Sequence, residues 1–215
     1  MNIILKLVDF IINIDKYLGV IIQNYGMETY IILFIVIFCE TGLVFLPFLP
    51  GDSLIFAASA FAAIGKLNIF ILYFVVLFAA VLGDTVNYTI GKTLGNKLEN
   101  SKIIKKEYLV KTHDFFEKHG GKSIVLARFV PIVRTFAPFV AGSGKMKYTK
   151  FIRYNLLGGF LWVTVCTLAG YFFGNIQFVK ENFSLVIMAI ILISLMPIIL
   201  TYFISKIKKK EIKNI

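Results

Sequence analysis

Charge is what this sequence has least of for its size: Asp, Glu, Lys and Arg together make up 16% of its 215 residues. That is too little to coat an ordinary water-soluble domain. Cysteine is also scarce. Cys39 and Cys166 both lie in apolar stretches without CxxC spacing, so neither a disulfide framework nor a thiolate metal site is indicated. The two histidines, His113 and His119, fall outside the long apolar runs, and neither HExxH nor GxSxG occurs. These absences argue against a metallohydrolase or a serine hydrolase, and no metal or cofactor is expected. Lys6, Asp9, Asp15 and Lys16 interrupt the first apolar stretch, so it does not read as a cleavable secretory leader.

What the chain does have is apolar surface. Hydrophobic residues reach 58%, with 22 Phe and 10 Tyr, and the mean hydropathy is +0.82. One globular core cannot bury that much, so lipid must be part of the solvent. The net charge of +11 raises nucleic acid as a partner. The lysines, however, cluster in connections between apolar runs, which suits anionic headgroups and not a nucleic-acid face.

Read along its length, the sequence predicts one all-α integral membrane domain over residues 1–215. Polar residues Asn2, Lys6, Asp9, Asn13, Lys16 and Gln23 make one wet stripe on an otherwise apolar segment, so residues 1–25 are expected to form an interfacial amphipathic helix. Residues 67–90, 154–174 and 183–205 are each long enough to cross a hydrocarbon core, which takes about 20 residues. Residues 28–64 are broken at Pro47, Pro50 and Gly51, and residues 123–144 carry Pro131 and Pro138; both read as helix, break and returning helix. The second segment cannot cross and return within its 22 residues, so it is expected to be re-entrant, with the two breaks facing each other.

Eight lysines in residues 92–122, three Lys and one Arg in 145–153 and five Lys in the tail 206–215 place these segments, and the C-terminus, on the cytoplasmic side. Hairpin followed by span then occurs twice with opposite orientation, the inverted-repeat plan of many transporters. In the basic connection 91–122, residues Tyr108, Leu109, Thr112, Phe115 and Phe116 share a helical face that ends at Gly120-Gly121. A second interfacial helix with a glycine cap is predicted there.

Against this background Glu40, Asp52, Asp84, Arg128 and Arg134 stand out, because each lies in or at the mouth of an apolar segment. An ionised residue at mid-bilayer costs about 2.5–3.5 kcal/mol, so such groups pair, protonate or face water. Three acids against two arginines leave one formal negative charge, which makes one carboxyl a candidate proton carrier. Arg128 and Arg134 flank Pro131, and their guanidinium forks suit a phosphate. The alternative is a purely structural pairing of these arginines with Glu40 or Asp52. Asp52 also has the position of a helix N-cap, and Asp84, nearer the end of its span, has the position of a partner for an arginine. Glu40, inside Phe38-Cys39-Glu40-Thr41-Gly42, has no capping role to explain it.

These motifs resemble the DedA family, also called SNARE-associated or VTT-domain membrane proteins, over nearly the whole chain. Glu40-Thr41-Gly42 with Pro47-Phe48-Leu49-Pro50-Gly51-Asp52-Ser53 is similar to the family's first hairpin, and Gly83-Asp84 with Tyr88, Gly91 and Gly95 to its first span. Arg128 to Thr135 with Pro138 and Ala141-Gly142 is similar to its signature hairpin, followed by Asn155, Gly158 and Trp162. The resemblance implies that Glu40 and Asp52 match essential acids, and Arg128 and Arg134 essential arginines. Asp52 departs from the Glu common at its position.

The implied activity is movement of a phosphate-bearing lipid, undecaprenyl phosphate or a phospholipid, between the leaflets of a bacterial cytoplasmic membrane, with dependence on the proton motive force. Protons and anionic headgroups are then partners, nucleic acid is not, and a homo-oligomer is compatible with the plan. A proton-coupled carrier of ions or small solutes would use the same charges. An integral-membrane lipid phosphatase is the third alternative, and the missing nucleophile and metal motifs argue against it.

Overall fold

Helix length separates the chain into two kinds of element. The computed structural model describes residues 26–43, 51–99, 106–182 and Val186. Helix α1 (Glu28–Gly42) has 15 residues and α2 (Gly51–Ala63) has 13, about 20 Å each at 1.5 Å per residue. Neither reaches across a hydrocarbon core of about 30 Å. Helices α3 (Ile69–Glu99) and α7 (Tyr148–Gly174) have 31 and 27 residues. Among the described residues two stretches, Ile69–Gly95 and Tyr148–Gly174, are long and apolar enough to cross a membrane. The predicted interfacial helix 1–25, Pro47, Pro50, the tail 206–215 and the third span 183–205, apart from Val186, lie outside the described residues.

The two long helices outrun the predicted spans. Helix α3 continues from Ile90 to Glu99, and α7 starts at Tyr148 instead of Tyr154. Hydropathy falls at Lys92 and again before Tyr154, but no proline breaks either helix there, and lysine and arginine stems can reach from a helix into headgroups. Hydropathy therefore marks where lipid ends and not where the helix ends.

Between the long helices lie α4 (Lys106–His119), a 3-10 turn (Gly120–Lys122), α5 (Ser123–Ala127) and α6 (Pro131–Ser143), with α8 (Gln177–Glu181) after α7. Helix α4 stops at Gly120, whose φ of +58° suits a residue without Cβ. Its inner face buries Leu109 and Thr112 and half-buries Phe115 and Phe116. Helix α5 gives way at Val130, extended at φ −115° and ψ 107°, as the residue before a proline must be. Pro131 then opens α6 at its first turn, and Pro138 inside α6 has no N–H to offer the carbonyl of Arg134.

Both broken segments double back. The Asn68 backbone N–H donates to the Tyr30 hydroxyl at 2.7 Å, while Gly51 abuts the Glu40 carboxylate, so the outer ends of α1 and α2 meet and so do their inner ends. Gly121, before α5, shares a cavity of about 300 Å³ with Ala141 and Gly144 at the end of α6. The first arm of each hairpin packs on the long helix that follows it: α1 on α3, and α5 on α7. The second arm crosses to the other long helix: α2 on α7, and α6 on α3. Such an exchange is what a two-fold relation between α1–α3 and α5–α7 requires.

Small residues make these crossings tight. A Cβ on Gly91 would stand 2.1 Å from the Phe139 carbonyl oxygen, one on Gly142 2.1 Å from that of Tyr88, and one on Gly170 2.5 Å from that of Phe56. Helix pairs that lack a hydrophobic drive toward each other rely on such backbone approach. Leu33, Ile37, Ile55, Leu72, Val76 and Val163 fill the core between α1, α2, α3 and α7. Outward, Phe70, Phe74, Phe78, Leu82 and Val86 form an exposed apolar stripe on α3, as do Leu157, Leu161, Val165, Leu168 and Phe172 on α7. Such stripes belong in lipid.

Candidate functional site

The inner ends of both hairpins converge on the middle of α3 and α7, and they bring all five intramembrane charges with them. Glu40 sits in the last turn of α1, Asp52 is the second residue of α2, Asp84 lies mid-way along α3, Arg128 closes α5 and Arg134 is in the first turn of α6.

Each arginine takes a different set of partners. Arg134 forks: its Nη2 donates to Glu40 Oε1 and its Nη1 to Asp52 Oδ1 at 2.6 Å. Arg128 turns away from the first hairpin, and its Nη2 donates to Asp84 Oδ2 and to Asn155 Oδ1 at 2.6 Å. The pairing of the arginines with Glu40 or Asp52 raised from sequence is therefore found at Arg134 and not at Arg128. Asp84 has the arginine partner that its position suggested, and the pair is buried inside the cluster. The reason is packing: α5 lies against α7 and α6 against α3, which sets Arg128 between the two long helices.

Uncharged residues complete the cluster. Asn155 Nδ2 donates to the Val81 carbonyl at 3.1 Å. Asn87 Nδ2 donates to the carbonyls of Thr41 at 3.0 Å and Thr135 at 2.8 Å, joining both hairpins to α3. Trp162 Nε1 donates to Asp52 Oδ1 at 3.1 Å, and its ring lies 5.8 Å from the Arg128 guanidinium carbon and 5.5 Å from that of Arg134, within cation–π range. The role of Asn87 was not drawn from the sequence, and Asn155 and Trp162 entered only through the resemblance. A buried amide in an apolar span is the signal that finds the first two. The single tryptophan in the chain carries no comparable signal.

Burial divides the site. The side chains of Glu40, Asp84 and Arg128 are 2%, 7% and 6% exposed, whereas that of Asp52 is 51% exposed. Polar capacity remains inside: Glu40 Oε2, Asn87 Oδ1 and Arg128 Nε are buried without a hydrogen-bond partner among the described residues. Gly51 has a second role beyond the break assigned to it, because a Cβ there would stand 1.5 Å from Glu40 Oε2. Only glycine lets the first turn of α2 rest on that carboxylate.

Two cavities meet at the arginines. The smaller, of about 20 Å³, touches Glu40, Asp84, Arg128, Arg134 and Trp162, room for about one water. The other, of about 200 Å³, is bounded by Asp52, Arg128, Phe129, Arg134, Trp162, Val165 and Cys166; Phe129 and Val165 are exposed apolar residues on its rim. The cluster can thus hold an anion at its open side while keeping acids and amides behind it. No group of three or more His, Cys, Asp or Glu is placed to hold a metal ion among the described residues.

Comparison with known proteins places the chain among membrane proteins. A family model described as the VTT domain matches residues 49–172, a stretch that contains every charge of the cluster except Glu40. The chain is 54% identical over 202 residues to Protein DedA of Escherichia coli (strain K12), covering 92% of each. It is 44% identical over 170 residues to the membrane protein Rv0364 of Mycobacterium tuberculosis (strain ATCC 25618 / H37Rv), covering 77% of this chain and 74% of that one. Against inner membrane protein YqjA of Escherichia coli (strain K12) the identity is 33% over 149 residues, 68% of each. None of these names carries an enzymatic activity. No solved structure matches the chain.

Proposed function

The chain belongs to the DedA family of VTT-domain membrane proteins, and on that premise we propose that it is a lipid translocase, moving a phosphate-bearing lipid such as undecaprenyl phosphate or a phospholipid between leaflets. The observation that carries this reading is the recess of about 200 Å³ that joins Asp52 and both arginines to the exposed apolar rim of Phe129 and Val165. A charged site with an apolar side entrance suits a molecule whose head is anionic and whose tail stays in lipid.

The chemistry follows from the partners. Arg134 is held by Glu40 from the buried side and by Asp52 from the open side. A phosphate entering the recess takes the place of Asp52 on the guanidinium, and the released carboxylate turns toward water or takes up a proton. Carrying a bare headgroup across hydrocarbon is the barrier to flipping, and a site that trades one anion for another lowers it. The odd negative charge among three acids and two arginines supplies the proton-accepting group, so transport is coupled to protons. In this reading both hairpins are re-entrant, the membrane is the bacterial cytoplasmic membrane and the C-terminus is cytoplasmic.

The test is leaflet-resolved translocation in proteoliposomes, with a polyprenyl phosphate and a glycerophospholipid, each with and without a pH gradient. Arg134→Ala and Glu40→Ala are expected to abolish movement of the cognate lipid. Unchanged translocation in either variant would overturn the assignment. A carrier of ions or small solutes is the second reading, favoured by the small charged cavity of about 20 Å³. Uptake of a small anion without lipid movement would select it.

A further inference from the structure

Trp162 borders both cavities, together with Arg128 and Arg134. It is 4% exposed and wedged into the core formed by α1, α2, α3 and α7. Asp52 Oδ1 receives both its N–H, at 3.1 Å, and Arg134 Nη1, at 2.6 Å. Two donors from different helices therefore converge on one oxygen. Both donors are anchored: the indole by its core packing and Arg134 by Glu40. The acceptor is the half-exposed member of the cluster, in the first turn of a short helix.

If Asp52 leaves, the donors stay where they are. A buried indole N–H and one arm of a guanidinium then face the recess without an acceptor, which costs more than the hydrogen bonds themselves are worth. Water can fill the gap, but an anionic oxygen suits the freed guanidinium arm better than water does. The recess that opens there is rimmed by Phe129, Val165 and Cys166, so the replacement that fits best brings its charge together with an apolar tail.

We propose that Trp162 is a phosphate-receiving residue of the translocation site: its indole N–H passes from Asp52 to a phosphate oxygen of the lipid as that phosphate takes over Arg134. This rests on the lipid reading above and adds to it a specific contact. The ring itself remains against both guanidinium groups throughout, so Trp162 sets the position of the phosphate as well as bonding to it.

The chain contains one tryptophan and 10 tyrosines, so emission of the intact purified protein excited on the red edge of the indole band, where tyrosine does not absorb, reports on this residue alone. Geranyl phosphate and dihexanoylphosphatidylglycerol, titrated separately, distinguish a polyprenyl from a glycerolipid source. Geraniol and inorganic phosphate are the controls for tail alone and headgroup alone. A saturable emission change is expected with at least one phosphate-bearing lipid and not with geraniol. In proteoliposomes Trp162→Phe keeps a ring and loses the N–H, and it should raise the half-saturating lipid concentration about tenfold, the worth of a hydrogen bond to a charged group, while the maximal rate changes little.

An equal emission response to geraniol, or a Trp162→Phe protein with unchanged half-saturation, would overturn the proposal. The emission titration on the native chain decides the matter even where that variant does not fold. If the native protein moves neither lipid yet responds to geranyl phosphate and not geraniol, the translocase reading falls and the phosphate contact at Trp162 stands.

Discussion

Arg128 and Arg134 lie six positions apart around the same proline, yet they occupy opposite kinds of environment. Arg128 is locked between the two long helices, with Asp84 from α3 and Asn155 from α7 as partners, all buried. Arg134 reaches the first hairpin, and one of its two carboxylates, Asp52, is half exposed. The lesson is that burial, and not charge, separates an ion pair closed to other ligands from one that is open to them. A pair whose every member is dry has no replacement ligand within reach, whereas a pair open on one side can trade partners.

The largest expected effect follows from the locked side. Arg128→Ala leaves Asp84 buried without its guanidinium and should cost about 3–5 kcal/mol of stability, the usual result of removing one member of a buried pair. Thermal unfolding in detergent measures it. Arg134→Ala strips the equally buried Glu40 in the same way and is expected to cost a similar amount, so the contrast between the two sides is tested at Asp52 and not at Arg134.

Gly51→Ala is expected to have an intermediate effect, about 1–3 kcal/mol by overpacking, because the new Cβ meets a buried carboxylate 1.5 Å away. The same unfolding assay checks it, and a silent substitution would mean that α2 does not rest on Glu40. The smallest stability change belongs to the open side. Asp52→Asn removes a charge that is half in solvent and should cost less than about 1 kcal/mol. Lipid translocation measured on the same preparation should nonetheless fall, since the exchangeable carboxylate is gone. A large loss of stability there would show that the open side is as structural as the locked one.

The five charges were conspicuous in the sequence because an ionised residue inside an apolar run is rare and costly. Their matching was not. Three acids and two arginines allow several pairings; Asp84 read as a partner for an arginine, but nothing in the order of residues says that the arginine is Arg128. Asn87 was missed for a related reason: an amide carries no formal charge, and its value lies in two carbonyls, Thr41 and Thr135, that are 46 and 48 residues distant. The ends of α3 and α7 differed from the predicted spans because helix formation tolerates lysine where lipid does not.

What the sequence determined by itself is therefore the kind of solvent, the broken segments and the inventory of costly charges, all properties of composition and local periodicity. What only the tertiary structure decided is the division of that inventory into a locked pair and an open one. That division depends on which helix crosses which, and the crossings are set by glycine contacts such as Gly91 on Phe139 and Gly170 on Phe56. Those contacts join residues dozens of positions apart, and local sequence pattern cannot specify a distance across space.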